Sequence, residues 1–231
     1  MIELPINQAQ VDQELKTLAT FSDAPAPAVT RVLFTQTELN ARAYIRDLMT
    51  DAGLTIREDA VGNIFGRWQG SQSNLSTIAT GSHIDAIPFS GMYDGTVGVI
   101  GAIEAIRGLK SAGFEPERSI DIIMFTAEEP TRFGIGCLGS RALAGILSPD
   151  DLIALRDSDN QTFEAIRQSA GYTESLDTVK LKAQDYHAFV ELHIEQGSRL
   201  EQAKQAIGIV TAIVGAPFFL YLLFSQKGRI V

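Results

Sequence analysis

Residues 75–126 read LSTIATGSHIDAIPFSGMYDGTVGVIGAIEAIRGLKSAGFEPERSIDIIMFT and predict a strand, a helix and a second strand in succession. This stretch opens with a short apolar strand at 75–80, which ends at the polar sequence GSHID. A helix is predicted over 95–109, because Ala, Gly and Ile occupy most of its faces. The stretch closes with SIDIIMFT at 119–126, a nearly continuous apolar run typical of a central strand covered on both faces.

The flanking segments continue the alternation of helices and strands. Apolar spacing, capping residues and turn residues predict the following further elements: helices at 8–18 and 37–49, a hairpin in LTIREDAVGNIFGRW (54–68), helices starting at Ser148-Pro149 and spanning 161–170, and strands at 188–194 and 207–214. This order predicts an α/β fold with a mixed, mostly parallel sheet flanked by helices.

The composition is that of a soluble globular protein. A chain of 231 residues can bury a core without disulfides or structural metals. Its 28 acidic and 19 basic residues give a net charge of −9, which argues against nucleic acid or an anionic membrane as a partner. One cysteine fits a reducing compartment, and the sequence MIELPINQAQ shows no secretory signal, so we expect a cytoplasmic protein.

A stretch without charged residues, 205–226, leaves two interpretations open. Its length would allow a membrane span, but Gly215 and Pro217 lie in its middle. The β-branched run IGIVTAIV at 207–214 favours a buried strand followed by an unusual tail.

Polar residues cluster where the predicted strands end. His83 and Asp85 follow the first strand and project to the same side, since alternate residues of an extended segment do so. Asp94 precedes the glycine-rich helix, the pair Glu128-Glu129 follows SIDIIMFT, and His193 ends the strand AFVELHI. In open α/β sheets, ligands bind at the carboxyl ends of the strands.

Each of these residues alone has an ordinary explanation. Asp94 could cap a helix, the glutamate pair could lie in a solvated loop, and His193 could be a core histidine. Their conjunction predicts a site for two divalent cations, with a non-ligating glutamate as the base. The predicted ligands are His83, Asp94, Glu129 and His193. This set is one ligand short, and a mixture of histidine with carboxylates suits Zn²⁺ or Mn²⁺.

Two further roles in this site follow from the same pattern. Glu128 is the candidate base that deprotonates the water between the cations. Asp85 would orient the imidazole of His83.

Three segments resemble the M20-type metal-dependent amidohydrolases, in the hydantoinase/carbamoylase branch. They are TGSHIDAIPFSGMYDGTVGVIGAIEAI (80–106), FTAEEPTRFGIGCLGSRALAG (125–145) and FVELHIEQGSRLE (189–201). The phrases IDAIPFSG and EEPTRFG are most similar to ureidoglycolate amidohydrolases.

The resemblance implies a zinc-exopeptidase-like catalytic domain and assigns further roles. Asp94 would bridge two metal ions, and Gln196 would contact the substrate. Three residues of the loop after Glu129 are implied to help shape the pocket: Arg132, Gly139 and Ser140. Cys137 lies in the same loop and is better explained as a small apolar filler.

The resemblance stops near Val214. Members of the family continue into a lid and dimerisation domain, which carries the last metal-ligating histidine and is expected to be absent here. We therefore interpret residues 1–214 as a partial catalytic domain and 215–231 as an aberrant apolar tail. The implied activity is hydrolysis of a ureido or N-carbamoyl acid: ureidoglycolate or allantoate first, an N-carbamoyl-L-amino acid next. The alternatives are an inactive fragment, a subunit that requires a partner chain, and an M20 peptidase.

Overall fold

The computed structural model describes residues 4–204 and 208–213. The predicted tail at 215–231 lies outside the described residues. The helices are Gln8–Thr20 (α1), Gln36–Asp51 (α2), Thr96–Ser111 (α3), Leu138–Leu143 (α4), Pro149–Ala154 (α5), Phe163–Ser169 (α6) and Arg199–Gln202 (α7). The strands are Val29–Arg31 (β1), Thr55–Glu58 (β2), Ile64–Trp68 (β3), Thr77–His83 (β4), Ala86–Ser90 (β5), Ile120–Phe125 (β6), Tyr186–His193 (β7) and Gly208–Ile213 (β8).

A mixed six-stranded sheet in the order β2-β3-β6-β4-β7-β8 organises the chain. The central strands β6, β4 and β7 are mutually parallel, whereas β2–β3, β3–β6 and β7–β8 pair in antiparallel fashion. This confirms the predicted α/β class and the predicted hairpin at 54–68, which forms β2 and β3. A second, two-stranded sheet of β1 and β5 was not predicted from the sequence.

Helices cover both faces of the large sheet. On one face, α1, α2 and α3 pack with Ile122 and Met124 of β6, and on the other α4, α5 and α6 pack with Ile123 and Phe125. Neighbouring residues of β6 thus point into two different cores. The prediction that SIDIIMFT is covered on both faces is confirmed.

The helix boundaries follow local capping. The Ser148 side chain accepts a hydrogen bond from the Asp151 backbone N–H, and the Asp151 carboxylate accepts one from the Ser148 backbone, which completes a capping box at α5. The side chains of Thr35 and Thr162 cap α2 and α6 by accepting a backbone hydrogen bond from Glu38 and Ala165. None of the helices in the described part of the chain has the length and hydropathy that a membrane crossing requires.

Candidate metal centre

Three parallel strands deliver the candidate residues to one edge of the sheet. Strand β4 ends at His83, β7 ends at His193, and β6 leads into the Glu128-Glu129 pair. Because β4 is parallel to both β6 and β7, their carboxyl ends lie side by side. The amino end of α3 brings Asp94 to the same edge.

The structure brings His83, Asp94 and His193 together. Each offers a ligand atom, and these atoms lie within 4.8 Å of one another. His193 Nε2 is 3.4 Å from Asp94 Oδ1, and the two imidazole rings are nearly parallel with their centroids 6.2 Å apart. Two imidazole nitrogens and a carboxylate oxygen form a donor set suited to Zn²⁺ or Mn²⁺.

A close approach of α3 to β4 makes this arrangement possible. Gly95 has a positive φ of 64°, and a Cβ atom there would lie 2.4 Å from the His83 ring. Any side chain at position 95 would therefore displace the imidazole. The glycine allows Asp94 to stand directly beside His83.

Both histidines present Nε2 to the centre. A carbonyl oxygen can only accept a hydrogen bond, so the contacts of His83 Nδ1 with Asp85 O (3.0 Å) and of His193 Nδ1 with Ile194 O (2.7 Å) place a proton on each Nδ1. In the neutral imidazoles, Nε2 is then the free lone pair. A main-chain or carboxylate partner on the second nitrogen is the usual arrangement of a metal-binding histidine.

One carboxylate oxygen of Asp94 lacks a hydrogen bond within the centre. Its Oδ1 is buried and has no hydrogen-bond partner within the described residues, whereas its Oδ2 accepts a hydrogen bond from Gln196 Nε2 at 2.6 Å. A buried carboxylate oxygen without a partner is costly. A cation between Asp94 and the two histidines would satisfy it, so these residues fit a metal ion.

Asp85 ties the end of β4 to the end of β6. Its carboxylate accepts hydrogen bonds from the backbone N–H groups of Glu128 (3.1 Å) and Glu129 (2.9 Å). Its Oδ1 lies 3.4 Å from His83 Nδ1, farther than its own main-chain oxygen. Asp85 thus contacts the imidazole and also fixes the loop that carries the two glutamates.

Acidic residues crowd around His83. Burial opposes its protonation, but the hydrogen bond and charge of Asp85, with the charges of Glu128 and Asp94, raise the pKa of the His83 imidazole to about 10. Burial and the neighbouring Glu128 raise the pKa of Glu129 to about 7. A metal ion would displace the proton on His83 Nε2, since only the neutral ring can ligate.

The two glutamates occupy different places. Glu128 Oε2 lies 3.7 Å from His83 Nε2, and Glu128 Oε1 lies 3.3 Å from the Cys137 thiol, which donates to it. Glu129 is not part of the compact group formed by His83, Asp94 and His193. Its role as a ligand therefore stays a prediction.

The other residues expected near the pocket make structural contacts. Arg132 donates to Leu33 O and forms an ion pair with Asp157, Ser140 donates to Cys137 O, and Gly139 packs against Asn63 and Thr126. Gln196 binds Asp94 directly, a contact that the sequence did not predict.

Two contacts near the centre had no clear signal in the sequence. One is the bond from Cys137 to Glu128, and the other is a bond from Ser82 Oγ to Glu191 Oε1 at 2.7 Å. The second has one hint, because Ser82 precedes His83 and Glu191 lies one strand period before His193.

A sequence profile of peptidase family M28 matches residues 63–191, which include all of β4, α3 and β6 and most of β7. The chain belongs to peptidase family M28. The M20 assignment made from the sequence stays a prediction.

This M28-family chain is similar to a ureidoglycolate hydrolase and to an N-carbamoyl-L-amino-acid amidohydrolase. It is 56% identical to a ureidoglycolate hydrolase of Oryza sativa subsp. japonica over 227 residues, which cover 96% of this chain and 46% of that protein. It is 40% identical to an N-carbamoyl-L-amino-acid amidohydrolase of Paenarthrobacter aurescens over 221 residues, which cover 95% of this chain and 53% of that protein.

A crystal structure described as AtUAH in complex with glyoxylate superimposes with a TM-score of 0.83 at 54% identity, covering 87% of this chain and 49% of that one. The chain thus spans about half the length of the relatives that it matches. The expected resemblance to ureidoglycolate, carbamoyl and allantoate amidohydrolases is confirmed.

Proposed function

We propose that this chain carries the metal-binding part of an amidohydrolase that cleaves a C–N bond of a ureido or N-carbamoyl acid. The observation that carries the proposal is the group of His83, Asp94 and His193, whose ligand atoms lie within 4.8 Å of one another around the Asp94 carboxylate, which has an oxygen without a hydrogen bond in the described part of the chain. The 56% identity to a ureidoglycolate hydrolase supports ureidoglycolate as the first substrate to test. Allantoate and N-carbamoyl-L-amino acids are the next candidates.

The residues present suggest a division of labour. A divalent ion, Mn²⁺ or Zn²⁺, held by His83, Asp94 and His193 would polarise the substrate carbonyl and acidify water. Glu128 accepts the proton of the water as its oxygen bonds to the carbonyl carbon, and it then returns the proton to the nitrogen, which departs as the C–N bond breaks and the carbonyl forms again. The Cys137 thiol and the main-chain N–H bonds to Asp85 hold Glu128 in place for this transfer.

We propose that Glu129, with Asp94 as a bridge, binds a second ion weakly. Two carboxylates alone are a poor cage, so about one tightly bound ion per chain is expected. We further propose that the enzyme is cytoplasmic and acts on a small molecule. We also propose that the intact enzyme dimerises through a domain that the longer relatives have. Groups that position the substrate supply much of the rate enhancement, and about half of each longer relative is not spanned by this chain. These residues by themselves are therefore expected to turn over little or no substrate.

A chimera tests the activity directly. Residues 1–214 would be joined to the part of the rice relative that this chain does not span, loaded with Mn²⁺, and assayed for ammonia release. We expect turnover of ureidoglycolate, and a loss of about 100-fold or more in Glu128→Gln. Cleavage of a dipeptide but not of ureidoglycolate would favour a peptidase, and a folded, metal-loaded chimera without any turnover would favour the inactive-fragment alternative.

A further inference from the structure

The two histidine-bearing strands separate before they reach the proposed metal centre. Pairing between β4 and β7 ends at Thr80 and Val190, three residues short of each histidine. Beyond that point His83 is paired with Phe125 of β6 on one side, and His193 is paired with β8 on the other. Backbone hydrogen bonds between β4 and β7 therefore do not set the distance between the two imidazoles.

A side-chain hydrogen bond spans the gap. Ser82 Oγ donates to Glu191 Oε1 at 2.7 Å, and the two residues are 1% and 9% exposed. Ser82 is adjacent to His83, and Glu191 is two residues before His193. The bond thus joins the strands immediately below the proposed ligands.

Helix α3 packs against both strands beside this hydrogen bond. A Cβ atom on Gly98 would lie 2.6 Å from Ser82 Cβ and 2.5 Å from Leu192 O, so the helix rests directly on both strands. Asp94 precedes this helix by two residues. Strands β4 and β7 and helix α3 therefore contact one another where Ser82 binds Glu191, and these three elements position the three proposed ligands.

Burial of the Glu191 side chain between β4 and β7 costs free energy. A buried carboxylate without an ion-pair partner loses hydration that a single hydroxyl replaces only in part. No lysine or arginine forms an ion pair with Glu191 among the described residues. Apolar packing between β4 and β7 would have been cheaper, so the bond has a use other than stability.

We propose that the Ser82–Glu191 hydrogen bond is a positioning element, which fixes the separation of His83 and His193 and so sets the affinity of the centre for its metal ion. This inference rests on the proposed function. Neither residue belongs to the compact group of His83, Asp94 and His193, and Glu191 binds Ser82 instead. Positioning partners of metal ligands change affinity by about 10–100-fold when removed.

The test measures Mn²⁺ and Zn²⁺ affinity of the full chain by titration calorimetry. Ser82→Ala removes the donor and should weaken binding about tenfold. Glu191→Gln keeps an oxygen that accepts from Ser82 and should bind within about threefold of the wild type. The matched control is Ser148→Ala, which breaks an equally short 2.7 Å Ser–Asp bond in the α5 cap and should leave affinity unchanged.

The absorption spectrum of the Co²⁺-loaded protein supplies a second readout, because it reports ligand geometry. It should change in Ser82→Ala and not in Glu191→Gln. If Ser82→Ala unfolds, the double variant Ser82→Ala/Glu191→Leu leaves no buried carboxylate unpaired, and it should fold and still bind about tenfold more weakly.

Wild-type affinity in Ser82→Ala, or in the folded double variant, would overturn this inference and leave the proposed function standing. Loss of affinity in Glu191→Gln equal to that in Ser82→Ala would also overturn it, in favour of a charge effect. Absence of metal binding by the wild-type chain would instead contradict the proposed centre itself.

Discussion

The strands β4, β6 and β7 carry a polar cluster at each end, and the two clusters differ in how their acids are neutralised. At the amino end, the buried carboxylate of Asp121 accepts two hydrogen bonds from Arg67 at 2.8 Å each and one from Tyr186 Oη at 2.7 Å. At the carboxyl end, Asp94 Oδ1 accepts no hydrogen bond within the described residues.

This difference indicates a structural role for the amino-end cluster and a ligand-binding role for the carboxyl-end cluster. The amino-end cluster contains its own cation, the Arg67 guanidinium, and its charges are balanced by the chain. The carboxyl-end acids Asp94 and Glu129 form no ion pair with lysine or arginine in the described part of the chain. Half-buried acids without a lysine or arginine partner among the described residues, one of them with a buried oxygen that accepts no hydrogen bond, point to a cation from outside.

The same substitution at the two ends should separate metal affinity from stability. Asp94→Asn removes the charge that faces both histidines, and we expect Mn²⁺ affinity to fall about 100-fold or more. Without metal, its free energy of unfolding should stay within about 1 kcal/mol of the wild type, since Asp94 is only half-buried and forms no ion pair with lysine or arginine among the described residues. Calorimetric titration measures the Mn²⁺ affinity, and urea unfolding measures the free energy of unfolding. Unchanged Mn²⁺ affinity would mean that the two clusters do not differ in metal binding.

Asp121→Asn should do the opposite. It leaves the Arg67 guanidinium without its carboxylate, and we expect a loss of about 2–3 kcal/mol in the free energy of unfolding. This loss is smaller than the roughly 3–5 kcal/mol of a fully buried pair, because the Arg67 side chain is 42% exposed and solvent screens its charge. Metal affinity of the folded variant should not change; a variant as stable as the wild type would show that this cluster is not structural.

Asp59 offers an intermediate case at the carboxyl edge, because its carboxylate has neutral partners only. It accepts from the backbone N–H groups of Val61 and Asn63 and from Asn63 Nδ2. Burial outweighs these bonds and raises the pKa of Asp59 to about 6.

A raised pKa means that the folded state holds the proton more tightly than the unfolded chain. The contribution of Asp59 to stability is therefore full below about pH 4 and is lost as the pH rises toward 6. Relative to Asp59→Asn, the wild type should lose about 2 kcal/mol between pH 4 and 7. Urea unfolding across this range measures the difference, and parallel pH profiles would refute it.

The smallest effect is expected at the rim of the centre. Gln196 donates to Asp94 Oδ2 from an exposed position, so Gln196→Ala should weaken Mn²⁺ binding by only about threefold. Asn40→Ala removes an exposed amide acceptor far from the site and serves as the control. A loss as large as that in Asp94→Asn would mean that Gln196 is itself a ligand.

The sequence predicted those parts of the fold that depend on local pattern. The apolar run of β6 and the capping residues of α5 are readable from a few neighbouring residues, and both predictions are confirmed. The β1–β5 sheet was missed because it pairs residues about sixty positions apart, such as Val29 with Ser90, in strands with little alternation.

The same limit applies to the site. Strand ends indicated that His83, Asp94 and His193 would meet, since parallel strands share an edge. The bonds from Asp85 to the Glu128 and Glu129 backbones depend on the spacing of β4 and β6, which no motif encodes.

The most direct test of the central claim compares unfolding of the wild type and Asp94→Asn with and without Mn²⁺. At a free concentration of about one hundred times the wild-type dissociation constant, the metal should add about 2.7 kcal/mol to the wild type and almost nothing to the variant. The two proteins should be similarly stable without metal, and the wild type should be clearly more stable with it. An equal gain in both proteins, or no gain in the wild type, would contradict the claim that the carboxyl end of the sheet is built to hold a metal ion.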